Sequence, residues 1–433
     1  MKNIKTRLAA MGFLEFAVWG AYLTSLGAFL AQNGLSGQIG WFYAVQGIVS
    51  IFMPALVGIV ADRWIPAHKM LSLCHVMAGS FMIAAGWYAM DSGNALQFTP
   101  LFTLYTISVA FFMPTIGLSN SVAYTVLNKA GLDTVKNFPP IRTLGTVGFI
   151  CAMLFVNFTG YQNTYQQLFT SGVLSFVLAI YCLTMPPCPT SGKTGSSVAD
   201  ALGLRAFRLF KNKQMAIFFI FSMLLGVSLQ ITNGFANPFI QSFKEVPQFA
   251  GDWGVHNANA LISLSQISET LCILLIPFFL RRFGIKVVML MAMFAWVLRF
   301  GFFGIGDTGS GVVFLILSMI VYGVAFDFFN VSGSLYVDQK TDSSIRSSAQ
   351  GLFMVMTNGI GATVGTLAAQ AVIDRTVYSQ PIGEAQIHGW HDAWMIFASY
   401  ALVVAVLFMI VFRYKHTDPD KQLIEEETDK LEI

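Results

Sequence analysis

The 433-residue chain is short of charge. Lys, Arg, Asp and Glu make up only 11% of it, against about 25% in ordinary soluble domains. That shortage excludes a solvated globular domain. The net charge of +3 is too small and too scattered for a nucleic-acid-binding face, so no nucleic-acid partner is expected. Cysteine is also scarce: Cys74, Cys151, Cys182, Cys188 and Cys272 form no C-x-x-C pair. Four of the five sit in apolar runs, where free cysteine packs as a small apolar side chain. The six histidines (His68, His75, His256, His388, His391, His416) lie mostly near the ends of apolar runs. They form no metal-ligand constellation. Neither H-E-x-x-H nor G-x-S-x-G occurs. No metal, no cofactor and no catalytic residue is therefore expected, which sets an integral membrane enzyme aside.

What the chain has is hydrophobic length: 55% hydrophobic residues and a mean hydropathy of +0.65. A spanning helix needs about 20 mostly apolar residues. Twelve such segments can be drawn, over 8–31, 39–61, 70–90, 98–127, 140–160, 165–185, 215–240, 258–280, 285–305, 311–337, 349–373 and 394–412. The first is too long for the core of a signal peptide and reads as a retained span. Of the 25 Lys and Arg residues, only Lys244 and Arg375 fall in loops on one side, while Arg142 and Arg299 lie within spans. All the others fall on the opposite side, which marks it as cytoplasmic. Both termini are expected there, in an all-α polytopic membrane protein. The longest cytoplasmic connection opens with "PPCPTSGKTGSS", of linker composition. It continues with "ALGLRAFRLFKNK", a basic amphipathic stretch suited to the membrane surface. The expected organisation is a six-helix half over 1–185, a linker over 186–213, a second six-helix half over 214–413 and a cytoplasmic tail over 414–433.

Two six-helix halves joined by a cytoplasmic loop suggest the parallel repeat of major facilitator transporters. The loop after the second span, "GIVADRWIPAHK", resembles that superfamily's G-x-x-x-D-R-x-G-R-[RK] motif. Asp62, Arg63 and Lys69 fit it, and Ile65 replaces the glycine. The loop after the eighth span, "LRRFGIK", is a degenerate copy, with Arg281 where the acid would be.

A charge at mid-bilayer costs about 2.5–3.5 kcal/mol or more, so each one kept needs a partner or a task. Arg142, Thr146 and Phe149 share a face of the fifth span. Arg142 follows Pro139 and Pro140, so snorkelling from a helix start is the competing reading. Gln230 and Asn233 on the seventh span repeat the spacing of Gln266 and Glu269 on the eighth. A single such pair could be interhelical glue, but two on neighbouring spans point to a polar wall. Gly234 and Pro238 are placed to kink the seventh helix. Tyr322, Phe326 and Phe329 share a face of the tenth span beside Asp327 and Asn330, and Arg142 is the expected partner of Asp327. Arg299 reads as structural or snorkelling. Glu15 either lines a cavity with Trp19 and Tyr22 or pairs with Arg7. Gly361 and Gly365 read as a close-packing face.

These stretches resemble one family, the bacterial nucleoside:proton symporters of the major facilitator superfamily. The likeness runs through "FMPALVGIVADRW", "FPPIRTLGTVGFI", "LFKNKQMAIFFIFSMLLG", "LQITNGF", "SQISETL", "AWVLRF", "LSMIVYGVAFDFFNVSGS" and "SSAQGLFMVMTNG". The resemblance implies a bacterial inner-membrane importer that takes a nucleoside with protons at a site between the halves. Carried over residue by residue, that site comprises Arg142, Thr146, Phe149, Gln230, Asn233, Gln266, Glu269, Tyr322 and Phe326. Asp327 is the proton-coupling candidate, with Glu269 as a second carboxylate able to titrate. The residue types suit such a cargo: amides donate and accept together, and rings stack on bases. No Lys/Arg cluster is present to serve a phosphate. A sugar would suit the same residue types. A monomer is expected, since this fold can work as one.

Overall fold

The structure, a computed structural model, describes residues 3–190, 204–342 and 345–414. Among them it is helical, with no strand. Ten helices are long and apolar enough to cross a bilayer. The twelve expected crossings nevertheless account for the architecture, because the first and the eighth are interrupted and the end of the eighth runs on into the ninth across a reversal. The first crossing breaks after Ile4–Gly20 and resumes as Leu26–Gln32. The eighth is Ala258–Cys272. It turns at Ile273–Leu275 and continues over 276–283, where Pro277 stands in the first turn of the new segment. The chain reverses at Gly284, whose φ of 75° is left-handed and favours glycine, and the ninth crossing runs over 285–305.

Broken helices are tolerated at membrane depth only where protein satisfies the freed backbone and side chains. The first break meets that condition: Thr24 donates to Asn259 at 2.9 Å and Ser25 to Gln167 at 2.9 Å. The seventh crossing, Lys213–Leu229 and Ile231–Ser242, changes direction at Gln230, earlier than Gly234 and Pro238 suggested. Pro238 lies inside the second segment. The fifth helix starts at Thr134 and runs through Pro139 and Pro140, so Arg142 stands two turns inside it and not at its start. Of the linker, Leu204–Lys211 forms a 3₁₀ helix in which Phe210 packs on Phe219, ring centroids 5.5 Å apart. Residues 191–203 and the tail beyond Tyr414 lie outside the described residues.

Glycines set the closest approaches. A Cβ on Gly148 would strike the backbone of Phe13, and one on Gly20 the backbone of Phe149, so the first and fifth helices touch main chain to main chain. Gly361 and Gly365 do the same for the eleventh helix against Met223 and Val227 of the seventh, as their spacing implied. The halves meet along three seams. The first helix meets the seventh at Gly27 and Gly234, the second meets the eleventh at Gly40 and Gln370, and the fifth packs on the eighth. Gly365→Leu is therefore expected to lower the melting temperature of the purified protein, since overpacking costs roughly 1–3 kcal/mol. Gly301→Ala, which faces open space, is expected to leave it unchanged.

Candidate functional site

Between the halves lies a cavity of ≈ 140 Å³. Its wall contains Arg142, Thr146 and Phe149 from the fifth helix and Gln230 and Asn233 from the seventh. Gln266 and Glu269 of the eighth and Tyr322 and Phe326 of the tenth complete the expected set. All nine residues singled out from the sequence thus line one space. Phe16, Trp19, Leu23, Leu229 and Asn358 line it too. Of these only Trp19 carried a sequence signal, by sharing a helix face with Glu15. Larger hollows lie at the helix ends near Lys213 and Arg413 and on the flank between Phe13, Phe155 and Phe169, but no set of amides and acids converges there.

The polar wall is internally ordered. Gln230 sits at the bend of the seventh helix and accepts a hydrogen bond from Asn233 Nδ2 at 2.7 Å. This leaves the Gln230 amide hydrogens and the Asn233 carbonyl oxygen for a ligand. Gln266 and Glu269 stand a turn before the break of the eighth helix. Aromatic rings line the same space. Trp19 meets Phe149 edge-on at 6.1 Å, and Tyr322 stacks on Phe326 at 5.6 Å with 20° between planes.

Arg142 does not form the expected ion pair. Its guanidinium lies 4.0 Å from the centroid of the Phe16 ring, and no carboxylate oxygen stands within 4.0 Å of it. Glu269 is its strongest electrostatic neighbour, ahead of Asp327 and Glu15. Asp327 is buried behind Phe326, and its Oδ2 has no hydrogen-bond partner. Glu15 follows neither expectation. It is fully buried outside the cavity and is bonded to His75 at 2.9 Å and Thr115 at 2.5 Å, while Arg7 donates to the carbonyl of Thr184. His75 is correspondingly mid-helix, not at a span end. Arg299 does not snorkel either. It is buried, donates to the Ser318 carbonyl at 2.8 Å and lies 4.3 Å from the ring of the cavity residue Tyr322. No cluster of His, Cys, Asp and Glu among the described residues suits a metal.

Away from the basic loops, a band of uncharged hydrogen bonds joins the halves. Asn259 accepts from Thr24 at 2.9 Å and from Asn237 at 2.8 Å. Asn157 donates to Asn257 at 2.8 Å, Gln32 to Gln241 at 2.7 Å, and the Gly40 amide to Gln370 at 2.7 Å. Gln370 also donates to Asp374 at 2.7 Å.

Two six-helix halves around a polar cavity, with interrupted helices at its wall, define a secondary transporter of the major facilitator architecture. The chain belongs to the nucleoside H+ symporter family, whose sequence model matches residues 1–417. It is 47% identical over 424 residues to xanthosine permease of Escherichia coli K12, covering 97% of this chain and 98% of that one. It is 46% identical over 418 residues to nucleoside permease NupG of the same organism, covering 96% and 97%. A crystal structure of nucleoside transporter NupG superposes with a TM-score of 0.86 at 45% identity, covering 95% of this chain and all of that one. The protein is a proton-coupled nucleoside importer and not an enzyme.

The stacking under Arg142 is testable. A cation–π contact is worth about 0.5–2 kcal/mol. Phe16→Leu is therefore expected to raise the KM for uptake roughly 3- to 30-fold, and Phe16→Tyr, which keeps the ring face, to leave it near the parent value.

Proposed function

We propose that the central cavity is the nucleoside site and that Asp327 carries the coupled proton. The observation behind the first part is that amides and aromatic rings from both halves line one cavity. Gln230, Asn233 and Gln266 offer paired donors and acceptors for ribose hydroxyls and base edges. Phe149, Tyr322 and Phe326 offer faces for the base, and stacking is worth about 1–3 kcal/mol per base. Glu269, beside Arg142, serves as an acceptor for ribose hydroxyls. At ≈ 140 Å³ the cavity is smaller than the roughly 300–1,000 Å³ of typical ligand pockets, so its walls part as cargo enters.

For the second part, the support is the unpartnered oxygen of buried Asp327. Burial penalises the charged carboxylate and nearby positive charge favours it. A group shifted between these surroundings during the cycle takes up and gives back a proton. In orientation, the basic loops and both termini face the cytoplasm. The amide band then closes the outer side, and the cavity of this structure is the one that exchanges with the cytoplasm. One chain completes the cavity wall, so the working unit is a monomer in the bacterial inner membrane.

The test is uptake of labelled uridine, adenosine and a hexose into vesicles, with and without an inward proton gradient. Accumulation of a nucleoside that needs the gradient is expected, and uptake of hexose alone would overturn the cargo assignment. Asp327→Asn is expected to abolish accumulation against a gradient while still exchanging nucleoside at equilibrium. Accumulation with unchanged pH dependence in that variant would remove Asp327 from the coupling role. Glu269→Gln is expected to raise KM about tenfold, the loss of roughly one charge-assisted hydrogen bond.

A further inference from the structure

The first helix carries a carboxylate that faces away from the cavity. Glu15 and His75 are both fully buried. Glu15 Oε2 lies 2.9 Å from His75 Nε2, and its Oε1 accepts from Thr115 Oγ1 at 2.5 Å. On the far side of the imidazole, Nδ1 lies 3.0 Å from Ser175 Oγ. Four helices of one half, the first, third, fourth and sixth, are thereby tied at one point.

Every side-chain polar atom of the pair has a partner. Ser175 Oγ lies within hydrogen-bonding distance of both the imidazole and the His75 carbonyl, the latter at 3.1 Å, so the sixth helix is joined to the ring and to the backbone of the third. Removing one member of such a pair leaves the other buried without its partner, which is costly. The other titratable groups near the pair are the thiols of Cys74 on the third helix and Cys182 on the sixth, and Arg142 on the fifth. Of these only Arg142 is charged, and the Phe16 ring lies under its guanidinium.

The same stretch of helix faces the cavity with its next residues. Phe16 supports Arg142, and Trp19 stands edge-on to Phe149. The Phe112 ring lies 6.1 Å from both His75 and Trp19, so the buried pair and the cavity wall are in packing contact. Neither Glu15 nor His75 lines the cavity. We propose that Glu15 and His75 are a positioning pair. Their hydrogen bonds lock the first helix so that Phe16 and Trp19 form a fixed cavity wall, and the pair takes no part in the proton exchange of the transport cycle. The proposal rests on reading the central cavity as the nucleoside site.

The experiment is uridine uptake by vesicles holding the full-length protein, with KM, Vmax and pH profile measured for each variant. Glu15→Gln is expected to keep all three, because its amide donates to Nε2 and its oxygen still accepts from Thr115. Glu15→Leu is expected to raise KM roughly tenfold with Vmax changed less than about twofold, a loss of binding rather than of turnover. Should Glu15→Leu fail to insert, Ser175→Ala carries the test, with an expected rise in KM of about threefold from one weakened hydrogen bond. A Glu15→Gln protein that binds uridine but no longer accumulates it would make the pair a proton carrier and overturn the proposal. Parent KM values in both Glu15→Leu and Ser175→Ala would overturn it as well. Gln230→Ala, measured alongside, reports on the cavity reading alone: an unchanged KM there would fault that reading without bearing on the hydrogen-bonded pair.

Discussion

A polar group in a bilayer must have a partner, a cavity or a proton, and this requirement orders the whole molecule. Each charged side chain within a span meets it differently. Arg142 rests on an aromatic face and opens to the cavity. Arg299 is supplied by a carbonyl, a serine and the Tyr322 ring. Glu15 is matched by His75. Glu269 looks into the cavity beside Arg142. Asp327 keeps a buried carboxylate oxygen with no partner. The helices are packed around these solutions, and the glycine contacts between the first and fifth helices bring Phe16 beneath Arg142.

The same constraint accounts for the largely uncharged hydrogen bonds that join the halves away from the basic loops. A gate that must open and shut in each cycle exposes its groups to water in one state and buries them in the other. Ion pairs would make that exchange costly, because stripping water from charges takes several kcal/mol per ion. Neutral hydrogen bonds contribute only about 0.5–1.5 kcal/mol each. Several of them, as between Thr24, Asn237 and Asn259, hold the halves together without fixing them permanently. The broken first helix belongs to this device: its irregular segment places Thr24 against Asn259 while Ser25 holds Gln167.

How much of this was legible beforehand depended on distance along the chain. Twelve apolar runs and their basic loops are local patterns, and they carried the architecture. The spacing of Gln230 with Asn233 and of Gln266 with Glu269 is also local, and it marked the polar wall. What could not be read were pairings across many residues. Nothing near Glu15 announces His75, which arrives from the third helix, so a place in the cavity wall and a pairing with Arg7 on the same helix were the two readings open to it. Phe16 beneath Arg142 was hidden for the same reason, and Asp327 was given a cation that instead lies over the Phe16 ring. Helix ends also misled. The Pro139–Pro140 pair resembles a first turn, yet tertiary packing carries the fifth helix through it from Thr134. The breaks in the first and eighth helices stayed invisible because their residues are as apolar as those of an unbroken span.

The arrangement around the cavity also bears on why two carboxylates are needed. Arg142 alone faces Glu269 and Asp327, so with both acids ionised this group of three carries one net negative charge. Arg299 stands near, but the Tyr322 ring lies across its guanidinium and its hydrogen bonds go to Ser265 and Ser318. It tempers the field without partnering either acid. One proton makes the group of three neutral. In the cycle proposed above, Glu269 stays ionised and accepts hydroxyl hydrogens while Asp327 takes the proton. Cargo held by Glu269 would then draw on the positive charge of Arg142 and leave less of it to support an ionised Asp327. On that proposal, occupancy of the site and protonation of Asp327 favour each other, which is the thermodynamic content of symport.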